Sequence, residues 1–572
     1  MFPFPDSGET FDEIIDGKFI YVDKTEYIFN LIKRKCLFLS RPRRFGKSLL
    51  LAAIEQLFLG QDHCFKNLWI GQKDRHQFVP HPVINITMSG SFDSKERLEK
   101  GIASQLADAA SDNGLKIERD EPSLMLREIF SAIKEKNGKK AKVVILIDEY
   151  DQPILSVLKD SKQIEENRSV LHSFYGTLKS YADHGNIRFL FVTGGTRFAK
   201  ASFFSVFNNC YDLTMDPAYA AVCGFTVDEF DACLAGFLPG ILERLKADGS
   251  EPVSTSLADL RERVFTFYDG YSWDGKIRVL NPFSLVNFLS RKIIKPYWYF
   301  SGAPTFLIDM IRDNQMVFNR AETYSFSELD LEVSDPTNLR LVPVLFQSGY
   351  LTVDKLVSGV DYLLREPNQE VRECLNLGIL DALTGQNSGR IKVLEVGLHR
   401  ALTDVDAASL ALNFMEILNW IPYEIHLPLE NYYHSVILAV LKVFGFKVSS
   451  EESTAEGRLD LRLELTRDII YIFEFKFEKF LPESKPGKTT ASDQAAAPVQ
   501  DNKAGKTGKT GKTGKTKTEE EIKSDLMAKA ILEAKNQLVS KGYAQKYLRE
   551  YKKVHQVAVG IVGRATVGAE LL

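Results

Sequence analysis

The stretch Cys36-Leu37-Phe38-Leu39-Ser40-Arg41-Pro42-Arg43-Arg44-Phe45-Gly46-Lys47-Ser48-Leu49-Leu50-Leu51 constrains the fold more than any other. An apolar run suited to a buried strand enters a tight basic turn, and Gly46-Lys47-Ser48 opens an apolar helix expected to reach about Phe58. A phosphate-binding loop needs strand, loop and helix in that order. Backbone amides at a helix N-terminus cradle phosphate oxygens, a lysine reaches the terminal phosphates, and a hydroxyl ligates magnesium. Arg44, Gly46, Lys47 and Ser48 are the candidate nucleotide-binding residues, with Ser48 also a magnesium ligand. The pattern G-x-x-x-x-G-K-[ST] has a glycine where this chain has Arg41, and Pro42 stiffens the next position.

A second stretch, Val143-Val144-Ile145-Leu146-Ile147-Asp148-Glu149-Tyr150-Asp151, suits a parallel strand covered on both faces. Its carboxylates fall at the strand's C-terminal end, where open α/β sheets bind ligands. Asp148 is read as holding magnesium through water, and Glu149 as polarising the attacking water. A third run, Ile187 to Arg197, is another buried strand with a polar exit, from which Thr193, Thr196 or Arg197 could sense the terminal phosphate. With Pro82-Val83-Ile84-Asn85-Ile86-Thr87-Met88 as a further strand and helices over 95–136, the segment reads as a doubly wound parallel α/β sheet. This ATPase core is expected over 1–225.

The basic loop Arg41-Pro42-Arg43-Arg44-Phe45-Gly46-Lys47-Ser48, the box Asp148-Glu149-Tyr150-Asp151 and the upstream Tyr21-Val22-Asp23-Lys24-Thr25 resemble the bacterial AAA-ATPase-like proteins that carry a C-terminal PD-(D/E)xK nuclease-like domain. An arginine in place of the first glycine is part of that family's pattern. The resemblance implies ATP and magnesium as cofactors, and it offers Tyr21 or Lys24 as a wall of the nucleotide pocket. Tyr268-Asp269-Gly270-Tyr271 and Asn281-Pro282-Phe283-Ser284 resemble the family as well.

Length and charge bound the rest. At 572 residues the chain has room for three or four domains of about 150 residues. A formal charge of -4 does not advertise nucleic-acid binding, so any basic surface must be local. The six cysteines include no C-x-x-C pair and no histidine at zinc spacing, and are read as reduced core residues. No charged leader precedes an apolar run, and no segment approaches ~18 uninterrupted apolar residues. A cytoplasmic protein without a membrane span is expected, and formation of a homo-oligomer is left open.

Taken in order, Lys18 to Val22 suggests a short strand, and Asp23 with Glu26 suggests a capping box for the helix that follows. A helical lid is expected over 226–300, with turns at Pro239-Gly240 and Asp269-Gly270-Tyr271. Residues 301–424 read as a helical linker. Within it a helix ending at Ser348, then a hairpin of Tyr350 to Asp354 and Tyr362 to Arg365, suggests a winged-helix module. The presumed recognition helix holds one basic residue, Arg340, and a proline, Pro343, so an inter-domain spacer is favoured over a DNA reader.

The last domain is expected over 425–572 with the order α-β-β-β-α-β. Strict alternation in Gly457 to Leu465 puts Leu459, Leu461, Leu463 and Leu465 on one face and Asp460 on the other. On the next strand Glu474 and Lys476 share a face opposite Tyr471, Phe473, Phe475 and Phe477. Adjacent strands can bring Asp460 and Glu474 to one magnesium ion, with the Phe475 carbonyl as a further oxygen, while Lys476 orients the attacking water. Asp460, Glu474 and Lys476 are the candidate catalytic residues, alongside Glu149 of the ATPase core. The acid usually supplied by the first helix is left open among Glu430, His434, Glu451 and Glu452. Gln537 and Tyr543 resemble supporting positions of such nucleases. An insert over 481–518, with four Gly-Lys-Thr repeats from Gly505 to Thr516, is not a phosphate loop and is expected to be disordered. The expected function is an ATPase whose magnesium-dependent nuclease domain acts on DNA or RNA. The alternative is a nucleotide-switched regulatory or binding protein with an inactive nuclease fold.

Overall fold

The computed structural model describes residues 4–5, 8–90, 92–197, 203–249, 252–300, 324–332, 339–357, 361–375, 388–420, 430–454, 457–466, 468–480 and 518–572. The expected insert over 481–518 therefore lies outside the described residues except for its last position. The chain forms two compact units, Met1–Leu375 and Asn376–Leu572.

The first unit is built on a five-stranded sheet. Strands β1 (Cys36–Ser40), β2 (Val83–Thr87), β3 (Val143–Asp148), β4 (Ile187–Gly194) and β5 (Tyr211–Asp212) lie in the order β2-β3-β4-β1-β5. Every pairing is parallel. Each residue of β3 is buried, as a strand covered on both faces requires. Helices Lys47–Phe58, Lys95–Asp112, Pro122–Asn137 and Ser161–Asp183 connect the strands. Because β4 lies between β1 and β3, its C-terminal end separates the basic loop from the acidic box.

The segment Lys18 to Val22 forms no strand: Lys18 lies in a turn with φ 53°. Its apolar side chains are used in other contacts: Val22 joins a core with Phe230, Leu260 and Phe288, and the Tyr21 ring lies 5.3 Å from Phe11. Asp23 makes no capping box with Glu26. It accepts instead from the Thr25 amide at 2.8 Å and the Trp69 amide at 2.6 Å, tying the start of helix Thr25–Leu31 to a distant turn.

Four helices in the region expected as a lid, Val227–Cys233, Leu238–Ala247, Leu257–Tyr268 and Pro282–Arg291, enclose a core that includes Phe230, Ile241, Leu260, Val264 and Phe288. Pro239 and Gly240 lie in the first turn of their helix rather than in a loop, since an N-terminal proline sacrifices no helical hydrogen bond. Next come β6 (Tyr324–Ser327), helix Leu341–Ser348, β7 (Thr352–Val357) and β8 (Asp361–Arg365), the strands forming a separate antiparallel sheet in the order β6-β8-β7. The helix and hairpin were legible; β6 was not. The helix buries Leu341 and every residue from Pro343 to Gln347, which leaves it little surface to present to a DNA groove.

In the second unit β9 (Lys447–Thr454), β10 (Gly457–Thr466), β11 (Ile469–Glu478), β12 (Lys553–Val562) and β13 (Thr566–Leu571) form a sheet in the order β13-β12-β11-β10-β9. Only the β11–β12 pair is parallel. Helices Ser388–Thr403 and Ala407–Asn419, expected in a linker, instead join helix Glu430–Val443 on one face, where Leu398, Phe414 and Ile437 meet Leu461, Phe473 and Phe475. Helix Glu519–Lys541 covers the other face, and Gly560 and Gly568, paired across β12 and β13, let it approach closely. Leu459 departs from the expected alternation. It clusters with Ile470, Ile472 and Leu538 on the Glu519–Lys541 side, beyond the β10–β11 ladder that begins at Leu461↔Phe473.

Among the described residues no helix is long and apolar enough to cross a membrane. Cys64, Cys223 and Cys374 are buried, as expected of core residues, whereas Cys233 is exposed and Cys36 and Cys210 are half-buried.

Candidate functional site

At the end of β1 the chain turns through the basic loop into helix Lys47–Phe58, with Gly46 as its N-cap at φ 89°. A side chain at Gly46 would meet nothing within 4 Å, so the left-handed backbone, not crowding, calls for glycine there. Lys47 is buried and donates to the Arg41 and Pro42 carbonyls at 3.0 and 3.1 Å, which places its ammonium across the mouth of the loop. The Ser48 hydroxyl donates to Asp148 Oδ2 at 2.5 Å, and Thr193 donates to Asp148 Oδ1 at 2.5 Å. Ser48 from the first turn of helix Lys47–Phe58, Asp148 from the end of β3 and Thr193 from β4 thus converge.

Glu149 follows Asp148 with φ 53°, and Arg44 in the loop has φ 65°. Strained backbone on non-glycine residues concentrates at functional sites. Burial, and then the Asp148 charge, raise the proton affinity of Glu149, which suits a group that must accept a proton. Asp151 supports the β4 exit: it accepts from the Gly195 and Thr196 amides at 3.1 and 2.7 Å and from the Thr196 hydroxyl at 2.5 Å. Thr196 is therefore engaged by Asp151. Arg197 is engaged away from the loop, by Asp212 at 2.8 Å and by Glu332. Lys24 is bound by Glu229 at 2.6 Å and by the Ala221 carbonyl at 2.9 Å.

Arg41 is fully buried and explains the missing glycine. Its guanidinium donates to the Ser40, Thr214 and Tyr219 carbonyls at 2.9, 2.9 and 3.1 Å and stacks over Trp273 at 3.9 Å. Burial lowers its pKa to about 10, leaving it charged at neutral pH. Arg41→Gly, which restores the generic motif, is expected to destabilise the first unit by about 3 kcal/mol or more, since three buried carbonyls lose their donor. Chemical denaturation measures it, and an unchanged midpoint would contradict the anchoring role.

A second polar contact reaches the loop from far along the chain. Trp298 donates its indole N–H to the Arg43 carbonyl at 3.2 Å, while its own amide donates to buried Glu370 at 2.8 Å. Glu370 also accepts from Ser284 at 2.9 Å. Burial raises the Glu370 pKa from 4.5 to about 7, with the nearby Glu373 charge acting in the same direction. A raised carboxyl pKa gives stability that is intact below pH 4.5 and lost as pH climbs through about 7. Glu370→Gln keeps an acceptor but cannot ionise, so its stability relative to the parent protein is expected to rise by on the order of 3 kcal/mol between pH 4.5 and pH 8. Urea midpoints across that range test this, and a pH-independent difference would refute it.

In the second unit Asp460 accepts from the Phe475 amide at 2.8 Å. Glu474 is fully buried, and Lys476 donates to Glu474 at 3.1 Å and to the Phe475 carbonyl at 2.9 Å. Tyr543 completes the cluster: Gln537 contacts its hydroxyl at 3.5 Å, and burial raises its pKa with smaller contributions from Glu474 and Asp460. The structure thus brings Asp460, Glu474, Lys476, Gln537 and Tyr543 together. His434 packs its ring 5.6 Å from Phe475, on the face that β-strand alternation sets opposite Glu474. The side chains of Glu430, Glu451 and Glu452 lie outside the described residues. Among the described residues no group of three or more His, Cys, Asp or Glu is placed to hold a metal ion.

A family model described as "Predicted AAA-ATPase" matches residues 7–204, and one described as "PD-(D/E)XK nuclease superfamily" matches residues 429–513. The chain is 31% identical over 487 residues to an Azotobacter chroococcum mcd 1 protein described as "Uncharacterized protein in vnfD 5'region", an alignment covering 83% of this chain and 89% of that one. The chain belongs to the AAA-ATPase-like family with a C-terminal PD-(D/E)XK domain. No solved structure matches it. The AAA-ATPase-like match spans both the basic loop and the acidic box, and the PD-(D/E)XK match spans Asp460, Glu474 and Lys476.

Proposed function

We propose that this protein binds and hydrolyses ATP with magnesium, and that its C-terminal domain is a magnesium-dependent nuclease acting on DNA or RNA. The observation that carries the ATPase reading is the convergence of Ser48, Thr193 and Asp148 beside Lys47 and the N-terminus of a 12-residue helix. These residues fit a magnesium nucleotide. The helix amides and Lys47 would bind the phosphates, Ser48 and Asp148 would hold the ion, and Glu149 would orient a water and accept its proton. Magnesium, when bound, supplies positive charge against the phosphate oxygens. Arg44, exposed in the loop, is a further phosphate contact.

The nuclease reading rests on Asp460 of β10 reaching the middle of β11 beside Glu474, with Lys476 two residues on. The two carboxylates, with the Phe475 carbonyl, would hold the ion, and Lys476 would orient the attacking water. The same bonds fit a second reading, a nucleotide-switched binding protein that does not cut, because Lys476 on Glu474 and Asp460 on the Phe475 amide also form a structural network. Purified protein assayed on single- and double-stranded DNA and RNA with magnesium or manganese, beside Asp460→Ala, separates the two. Cleavage above the Asp460→Ala background supports the nuclease; equal background with intact ATP hydrolysis supports the switch.

A further inference from the structure

Cys36 is the first residue of β1, the strand that delivers the phosphate loop, and Cys210 immediately precedes β5. The parallel register Leu37↔Tyr211 and Phe38↔Asp212 places the two cysteines opposite each other one step earlier, and their sulfurs lie 2.6 Å apart. That is well inside the contact distance of two unbonded sulfurs, and both thiols are half-buried rather than sealed in the core.

We propose that Cys36 and Cys210 form a peroxide-sensitive dithiol that closes to a disulfide and braces the edge of the ATPase sheet. In the balanced reaction, hydrogen peroxide oxidises the Cys36 sulfur to a sulfenic acid, releasing one water. Attack by the Cys210 sulfur then forms the S–S bond and releases a second water, so two thiol hydrogens leave and the peroxide is reduced. Burial, and then the adjacent Cys36 sulfur, hold the Cys210 proton tightly, and that proton leaves with the sulfenic oxygen as the second water.

The location gives the bond a consequence. β5 is two residues long, and the chain just after it holds the loop: Leu213 donates to the Phe38 carbonyl at 2.9 Å, the Thr214 hydroxyl accepts from the Ser40 amide at 3.0 Å, and the Thr214 and Tyr219 carbonyls receive Arg41. A covalent tie from β1 to the start of β5 restrains that anchor and closes a long stretch of chain in the unfolded state. The bond can form whether or not the protein turns over ATP.

The test uses the full-length protein. Peroxide treatment followed by denaturation is expected to lower the titratable thiols from six to four, yield a tryptic species joining the Cys36 and Cys210 peptides, and raise the thermal midpoint by several degrees, all reversed by dithiothreitol. Cys36→Ser and Cys210→Ser should each abolish the linked species and the rise. Six remaining thiols, a different pairing, or sulfinic acid at Cys36 without a cross-link would overturn the dithiol. A cross-link with an unchanged midpoint would overturn its bracing role.

Discussion

Lys47→Ala is expected to weaken ATP binding by at least ~100-fold, equivalent to about 2.7 kcal/mol. Lys47 is buried across the loop mouth on the Arg41 and Pro42 carbonyls, so in the proposed site its ammonium would meet the terminal phosphates with its desolvation already met in the folded state. Glu149→Gln should retain affinity and lose hydrolysis by roughly 100-fold or more, the usual contribution of a positioned base. The neutral amide still fits the left-handed backbone at φ 53° no worse than the acid, yet it cannot take a proton. Calorimetry and phosphate release separate binding from turnover. Unchanged ATP affinity in Lys47→Ala would remove the site from the loop, and full turnover by Glu149→Gln would move the base elsewhere, with Asp151 the buried carboxylate next in line.

The parts of this site that were legible in sequence share one property: their function is set by neighbours close along the chain. Gly46, Lys47 and Ser48 announce a helix N-terminus, and the unbroken run into Asp148 announces a strand buried on both faces. Arg41 could be seen only as a departure from a motif, because the Thr214, Tyr219 and Trp273 partners that account for it lie more than 170 residues away and carry no local signature. Glu370 gave no signal, since an isolated glutamate in a helical stretch reads as solvent-facing until Ser284 and Trp298 fold over it. Strand β13 was missed although Gly563, at φ 63°, marks the hairpin that makes it; a short strand holding an interior glycine has weak strand preference. The alternation rule placed Glu474 and Lys476 opposite Phe473 and Phe475, which form the core with Phe414 and Leu398. It failed one strand over, at Leu459, which joins the cluster of Ile470, Ile472 and Leu538 on the other face, a packing choice that the alternation of one strand does not carry.

Asp460→Ala and Glu474→Ala are each expected to reduce metal-dependent phosphodiester cleavage by several orders of magnitude while leaving ATP hydrolysis intact. Each removes one of the two carboxylates that meet where β10 approaches the middle of β11, and an ion preferring oxygen ligands cannot be held in place by the remaining one and a carbonyl. Glu474→Ala carries a second cost, because it leaves Lys476 beside a buried gap, so Glu474→Gln is the gentler companion and should be equally inactive. Lys476→Ala should keep metal affinity and lose most of the rate, since the proposed role of its ammonium is to orient water rather than to ligate the ion. The expected independence from ATP turnover follows from the division of the chain: Lys47 and Asp148 belong to the unit ending at Leu375, and Asp460 and Glu474 to the unit beginning at Asn376. Nuclease assays run with ATP, without nucleotide and with a non-hydrolysable analogue, beside phosphate release from the same preparations, test both statements. Should Asp460→Ala stop ATP hydrolysis while far-ultraviolet circular dichroism and the thermal midpoint stay unchanged, the two units would be coupled through their sites, and independence would be the premise to discard.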